Sequence, residues 1–193
     1  MIFEKIISKY YPSDDNLRRL LLHHSRQVAH RALEIVECHK EWGLDADFVE
    51  DAAMLHDVGI FLCDAPGIYC TGDAPYLMHG VLGASLLRSE MMRCADEQEY
   101  YRLERMARVC ERHTGTGLTA ENIRAMQLPL QKVDLLPETI EEQIICYADK
   151  FYSKSHPHRE RTVESTAQSL RKFGEEGVCK FMDWARRFEG YNG

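Results

Sequence analysis

Apolar positions along this chain recur at intervals of three and four residues, the repeat of a helix with one buried face. In SDDNLRRLLLHHSRQVAHRALEIVECHKEW, Leu17, Leu20, Leu21, His24, Val28, Ala32 and Ile35 fall on one such face. The stretch opens with a serine and early acids, which suit a capped helix start, so a long first helix is expected. DADFVEDAAMLHD predicts a second, with Phe48, Ala52 and His56 four apart and Gly59 placed to stop it. YLMHGVLGASLLRSEMM predicts a third, and DEQEYYRLERMARVCERH a fourth whose stripe is Leu103, Met106, Cys110 and His113. TGTGL breaks the chain and TAENIRAM makes a short helix. LPETIEEQIICYADKFYSK begins another, with Pro137 near its first position and Ile140, Ile144, Ile145, Ala148 and Asp149 along it. After SHPH a last pair of helices divides near Gly174. Residues 60–75 contain Pro66, Gly67, Gly72 and Pro75 and read as a long loop, of the kind that overhangs functional sites. No strand is expected, and the fold class is all-α.

Some polar residues sit where that pattern says core. His24, His56 and His113 each lie on the apolar stripe of a different helix, and His79 opens its own. Asp57 and Asp149 share the pattern, whereas His23, His30, His39, His156 and His158 are read as solvent-facing. Any one of the six alone is an ordinary core polar group with a hydrogen-bond partner. As a set they are different, because a carboxylate buried in a helical core costs several kcal/mol unless a cation answers it. Lys150 and Arg112 are adjacent to Asp149 and His113, but neighbours on a helix do not share a face. Four imidazoles and two carboxylates without an internal lysine or arginine point to a metal ion, or two. Such donors suit iron, manganese, zinc or nickel rather than calcium. Iron and manganese head the expectation, with zinc, nickel and magnesium behind them.

Composition narrows the partners. Across 193 residues, Asp+Glu number 31 against Lys+Arg 24, a formal net charge of −7. That excess repels phosphate backbones, so neither nucleic acid nor a membrane surface is expected as a partner, and a small anionic ligand would need a local positive site such as a metal. The seven cysteines form no C-x-x-C pair and are read as reduced, buried small hydrophobes. MIFEKIISKYY lacks a signal-peptide core, and no run approaches the roughly 18 apolar residues of a membrane helix. A cytoplasmic protein is expected.

Five motifs in order carry a resemblance: HSRQVA from His24, MLHDVGI with His56 and Asp57, HGVLGA from His79, ERHTG with His113, and YADKF with Asp149. The chain resembles the HD-domain metal-dependent phosphohydrolases, and its H-D-x-G-I form resembles the HDIG subgroup. TGLTAENIRAMQLPL and LPETIEEQIICYAD extend the likeness to a branch of small proteins. The resemblance implies one helical HD domain over residues 1–193, with its core at about 20–155 and helices at 158–190 packed on it. It implies that His24, His56, Asp57 and Asp149 are the basic ligand set. His79 and His113 correspond to the extra histidines of binuclear members, such as the bis(nucleoside) tetraphosphate hydrolases and the HD-GYP phosphodiesterases. By the same resemblance Asp57 bridges two ions, with His24, His56 and Asp149 on the first and His79 and His113 on the second. The HD-GYP signature is absent, since Ile60 follows Gly59 and no G-Y-P follows His113.

The implied activity is hydrolysis of a phosphate ester or anhydride, in a nucleotide-like substrate, by a hydroxide formed at the metals. Asp57, positioning that hydroxide, and Lys150 are the catalytic candidates. Lys150 and Lys154, one helical turn apart, and Arg159 are the substrate-binding candidates, in a local patch with His158 and Arg161. The 60–75 loop is expected to cover the substrate, with Asp64, Tyr69 and Asp73 facing it. Two alternatives share the ligand set: a mixed-valent di-iron oxygenase of the HD type, and a metal-binding regulatory module without turnover.

Overall fold

The computed structural model describes residues 1–192. Nine α-helices among the described residues carry the fold. α1 (Ile2–Tyr10) leads into α2 (Asn16–Cys38), α3 (Ala46–Leu55), α4 (His79–Met91) and α5 (Glu97–Arg112). α6 (Ala120–Ala125), α7 (Ile140–Asp149), α8 (Val163–Leu170) and α9 (Glu175–Glu189) follow. Six of these nine helix starts show side-chain capping. Asp15, on an extended backbone before α2, accepts the Arg18 N–H at 2.9 Å, so the cap is Asp15 rather than the serine at the head of the motif. Asp45 caps α3 in the same way through the Phe48 N–H at 2.9 Å. Thr139 caps α7 and leaves Pro137 two residues before it. The second helix ends at Leu55, earlier than Gly59 suggested.

α4 packs along α5 and α2 along α3, while α7 lies across α2 and α5. One cluster of buried apolar side chains runs from Ile6 in α1 to Phe188 in α9. Tyr147 of α7 is central to the C-terminal part of it. Its ring stacks on Phe181 at 5.1 Å and meets Phe151 edge-on at 4.9 Å, which fastens α9 to the bundle. Burying each such side chain contributes about 1.5–3 kcal/mol, so α9 is held by Phe181, Trp184 and Phe188 together.

Residues 60–75 are not a plain loop. β1 (Cys63–Ala65) pairs antiparallel with β2 (Cys70–Thr71) and parallel with β3 (Ala74–Pro75). Strands of two or three residues are too short to show an alternating pattern, which is why no strand was legible. Two smaller expectations also change. Cys63, Cys70, Cys110 and Cys146 are buried, but Cys38 and Cys179 are exposed. His39 is half-buried, its ring stacked on Trp42 at 3.9 Å, because the chain turns there and lays the imidazole on the indole. Among the described residues no helix is long and apolar enough to cross a membrane.

Candidate metal centre

Five segments converge on one buried spot, and most arrive by their ends. His24 lies within α2, but His56 and Asp57 follow the last residue of α3, and His113 follows α5. Asp149 is the last residue of α7 and His79 the first of α4. The C-terminal ends of α3, α5 and α7 thus point their partial negative charge at the same place, which favours a cation there. Helix ends also leave carbonyls without intrahelical partners. The histidines use the carbonyl three residues back. The Nδ1–H groups of His56, His79 and His113 donate to Ala53, Tyr76 and Cys110 oxygens at 2.6, 2.6 and 2.7 Å. A carbonyl can only accept, so each Nδ1 carries a proton and each ring turns its Nε2 inward.

The Nε2 atoms, with that of His24, meet one another. Nε2 of His24 lies 3.3 Å from Nε2 of His56, and Nε2 of His79 lies 3.0 Å from Nε2 of His113. Two imidazole nitrogens at that separation share either a proton or a metal ion. The carboxylates complete two clusters. Asp57 Oδ2 is 3.1 Å from His24 Nε2 and 3.0 Å from His56 Nε2, and Asp149 Oδ1 is 3.0 Å from His24 Nε2. The other oxygen of Asp57, Oδ1, is 3.2 Å from His79 Nε2 and 3.5 Å from His113 Nε2. Donor atoms of His24, His56, Asp57 and Asp149 lie within 4.8 Å of one another, as do those of Asp57, His79 and His113. An ion with bonds of about 2.1 Å keeps adjacent donors about 3.0–3.4 Å apart, so both clusters are ion-sized. Neither oxygen of Asp57 receives a well-aligned hydrogen bond although the residue is fully buried. The donor set fits a divalent metal, and Asp57 offers one oxygen to each cluster.

The electrostatics agree with that fit. Burial pushes the His113 imidazole down to about 4. At His56 burial acts the same way but is outweighed by Asp57 and Asp149, which lift the ring to about 9. Burial would raise both carboxyls, yet His56 and Lys154 hold Asp57 well below the usual range, and Lys150 with His24 and His56 does the same for Asp149.

Two glycines let the elements close on the centre. A Cβ on Gly59 would lie 2.3 Å from the His79 carbonyl oxygen, and one on Gly80 would lie 2.4 Å from that of Cys110. Gly59 therefore brings the His-Asp turn onto the start of α4, and Gly80 brings α4 onto the end of α5. The centre opens on a cavity of about 510 Å³, with His79, His113 and Asp149 at its floor. That volume lies within the usual range of small-molecule pockets.

A family model described as HD domain matches residues 21–153. The chain belongs to the HD-domain family. Among curated proteins, this HD-domain chain is 26% identical over 191 residues to a tRNA (cytidine(56)-2′-O)-methyltransferase of Picrophilus torridus, covering 89% of the chain and 48% of the relative. It is 28% identical over 183 residues to a protein of the same name from Thermoplasma volcanium, covering 95% and 44%. It thus spans about half the length of these relatives. An uncharacterised protein of Methanocaldococcus jannaschii is 31% identical over 131 residues, covering 67% of the chain and 64% of the relative. No solved structure matches.

Three expectations are corrected at this point. The exclusion of nucleic acid does not stand, because two relatives carry names of tRNA-modifying enzymes. Net charge is an average over the whole surface, whereas recognition is local: Lys150, Lys154, Arg161 and Lys172 all line the cavity beside the metal centre of this HD-domain chain. The expectation that no lysine answers the buried carboxylates also fails. Lys150 Nζ lies 2.6 Å from Asp149 Oδ2 and donates to the His113 carbonyl at 2.7 Å, and Lys154 pairs with Asp57 Oδ2. Lys150 is the C-cap of α7 and Lys154 lies beyond it, and their long stems fold back to the carboxylates. Finally, Arg159 is exposed and does not line the cavity, nor do Asp64, Tyr69 and Asp73. The β1–β2 turn presents Ala65, Gly67 and Ile68 instead.

Tyr76 and Lys172 were missed. Tyr76 stacks on His79 at 4.7 Å, and its position three residues before a ligand histidine was the available signal. Lys172 comes to the cavity from beyond α8, with nothing local to mark it.

Proposed function

We propose that this HD-domain protein is a metal-dependent phosphohydrolase acting on a phosphate ester or anhydride of a nucleotide-like substrate. The supporting observation is the cavity itself, floored by His79, His113 and Asp149 and walled by Lys150 and Lys154. His24, His56, Asp57 and Asp149 would hold one ion and Asp57, His79 and His113 a second, iron or manganese being our assignment from the mixed imidazole and carboxylate donors. When bound, such ions supply the Lewis acidity that activates water and withdraws charge from phosphoryl oxygens.

The protein's own residues do the rest. Asp57 ties the two clusters to a fixed spacing from the turn after α3. Tyr76 holds His79 twice, through its ring and through its carbonyl oxygen. An ammonium has three N–H donors, and Lys150 uses two of them on Asp149 and the His113 carbonyl. The third is left for a phosphate oxygen in the cavity. Lys154 neutralises Asp57 without metal, and its charge turns to the phosphate once cations take over that task. The relatives' tRNA names add phosphate groups of RNA to the candidate substrates, since a terminal RNA phosphate is the same chemical group. We also read residues 1–192 as one folding unit, because a single apolar cluster links α1 to α9.

The test is elemental analysis of the purified protein followed by an assay of the iron- or manganese-loaded form. Nucleoside mono-, di- and triphosphates, dinucleoside polyphosphates and 3′- or 5′-phosphorylated RNA oligonucleotides form the panel. Phosphate release from at least one class, abolished in Asp57→Ala, is expected. Oxygen consumption with reduced iron and no phosphate release would replace the hydrolase reading by the oxygenase one.

A further inference from the structure

Most half-buried arginines in this protein are neutralised. Arg31 reaches Glu160 and Glu189, Arg88 reaches Glu104 and Glu111, and Arg112 reaches the Leu136 carbonyl and Glu138. The remaining half-buried arginines likewise find a carboxylate or carbonyl oxygen, with one exception. Arg161 is half-buried and lines the cavity, and its guanidinium has no carboxylate or carbonyl partner among the described residues. Its backbone does not drift, because the Arg161 N–H donates to the Phe151 carbonyl at 2.9 Å. In a chain with seven more acidic than basic side chains, a guanidinium that no carboxylate answers in a cavity wall is available to an anion from outside.

The rest of the wall has the same character. Lys172 joins Arg161 there, with the uncharged donors Ser155 and Ser169. Among the described residues Asp149 is the only carboxylate lining the cavity, and Lys150 already pairs with it. Lys150 and Lys154 serve the phosphate at the floor, so Arg161 and Lys172 form a second positive region on a different part of the chain, before and after α8.

We propose that Arg161, supported by Lys172, binds a second phosphate group of the substrate, separate from the one that is cleaved. The inference rests on the phosphohydrolase reading for the first phosphate only. The substrate class is then a nucleotide with two phosphates at separate positions, or an RNA end in which the neighbouring phosphodiester is the second group. A planar guanidinium suits either, since both offer two oxygens to its fork.

Titration calorimetry on the manganese-loaded protein tests this without requiring turnover. Adenosine 3′,5′-bisphosphate is compared with adenosine 5′-monophosphate and 3′-monophosphate, and a 5′-phosphorylated RNA pentamer with a 5′-phosphorylated mononucleoside. The two-phosphate ligand of at least one pair should bind about ten- to a hundredfold tighter, the worth of a charge-assisted hydrogen bond pair. Whichever pair shows it identifies the source of the second phosphate. Arg161→Gln should abolish that preference and Arg161→Lys should keep part of it. Where a substrate turns over, the variant should raise KM for it by a similar factor with kcat within about threefold. Equal binding of one- and two-phosphate ligands by the wild-type protein overturns the inference whatever the variants do. A preference that survives Arg161→Gln overturns the assignment to Arg161. If two-phosphate ligands bind as expected but no phosphate is released from any, the phosphohydrolase reading fails while the second-phosphate site stands.

Discussion

Replacing His113 by alanine should remove one metal ion and leave the other. The two clusters share only Asp57, so the substitution takes the second from three ligands to two and leaves four on the first. Asp57→Ala strips a ligand from both, leaving three and two. Elemental analysis should therefore read two ions per chain in the wild-type protein, one in His113→Ala, and one or none, at reduced affinity, in Asp57→Ala. Stability reports the same count. An ion that binds only the folded state stabilises it by RT ln(1 + [L]/Kd), about 2.7 kcal/mol per site at a hundred times Kd. For a chain of 193 residues each kcal/mol moves Tm by about 2–4 °C, so each occupied site should raise it by about 5–11 °C. The quantity to compare is the metal-induced shift within each variant, because His113→Ala also loses buried packing and the hydrogen bond to Cys110. Differential scanning fluorimetry with and without a chelator measures it. His113→Ala should show about half the wild-type shift. Two ions still present in His113→Ala, or wild-type affinity for both in Asp57→Ala, would refute the shared carboxylate.

Three further outcomes follow from the same geometry. The metal-free protein holds a proton on His56, whose pKa is raised to about 9 from 6.5, so metal binding near pH 7.5 should release about one proton. Calorimetry in two buffers of different ionisation enthalpy detects it, and heats that do not depend on the buffer would count against it. The sign for stability is that of a raised pKa: the His56 contribution is fully present below about pH 6.5 and is lost as pH rises through about 9. Lys154→Met should destabilise the metal-free protein by about 3–5 kcal/mol, since Asp57 loses a buried cation, and added metal should restore most of that in a chemical denaturation series. Gly80→Ala should force α4 from α5, because its Cβ would meet the Cys110 oxygen at 2.4 Å. The expected result is loss of the ion held by His79 and His113 with the first ion retained, read by elemental analysis of the folded variant.

The helices were legible because their signals are local. Apolar spacing placed α2, α3, α4, α5 and α7 within a few residues, and errors fell at their ends, where the cap at Asp15 outcompeted an earlier serine. The short strands at residues 63–75 gave no periodicity to read. Among the site residues, His24, His56 and His113 stood out as polar groups on apolar stripes, and the structure gathers all six predicted residues within two adjoining clusters. Lys150 was misjudged because its long stem, at the C-cap of α7, folds back to the neighbouring carboxylate.

The order of polar and apolar residues along the chain determined an all-helical architecture with ionisable side chains on its inward faces, since periodicity and burial preference are properties of neighbours in sequence. How those side chains meet was decided in three dimensions. That Asp57 turns one oxygen to each histidine pair, that Lys150 and Lys154 fold back on the carboxylates, and that the Arg161 guanidinium lines a cavity with no carboxylate partner among the described residues all depend on which helix ends converge. Such distances between remote segments are set by packing, and no stretch of sequence contains them.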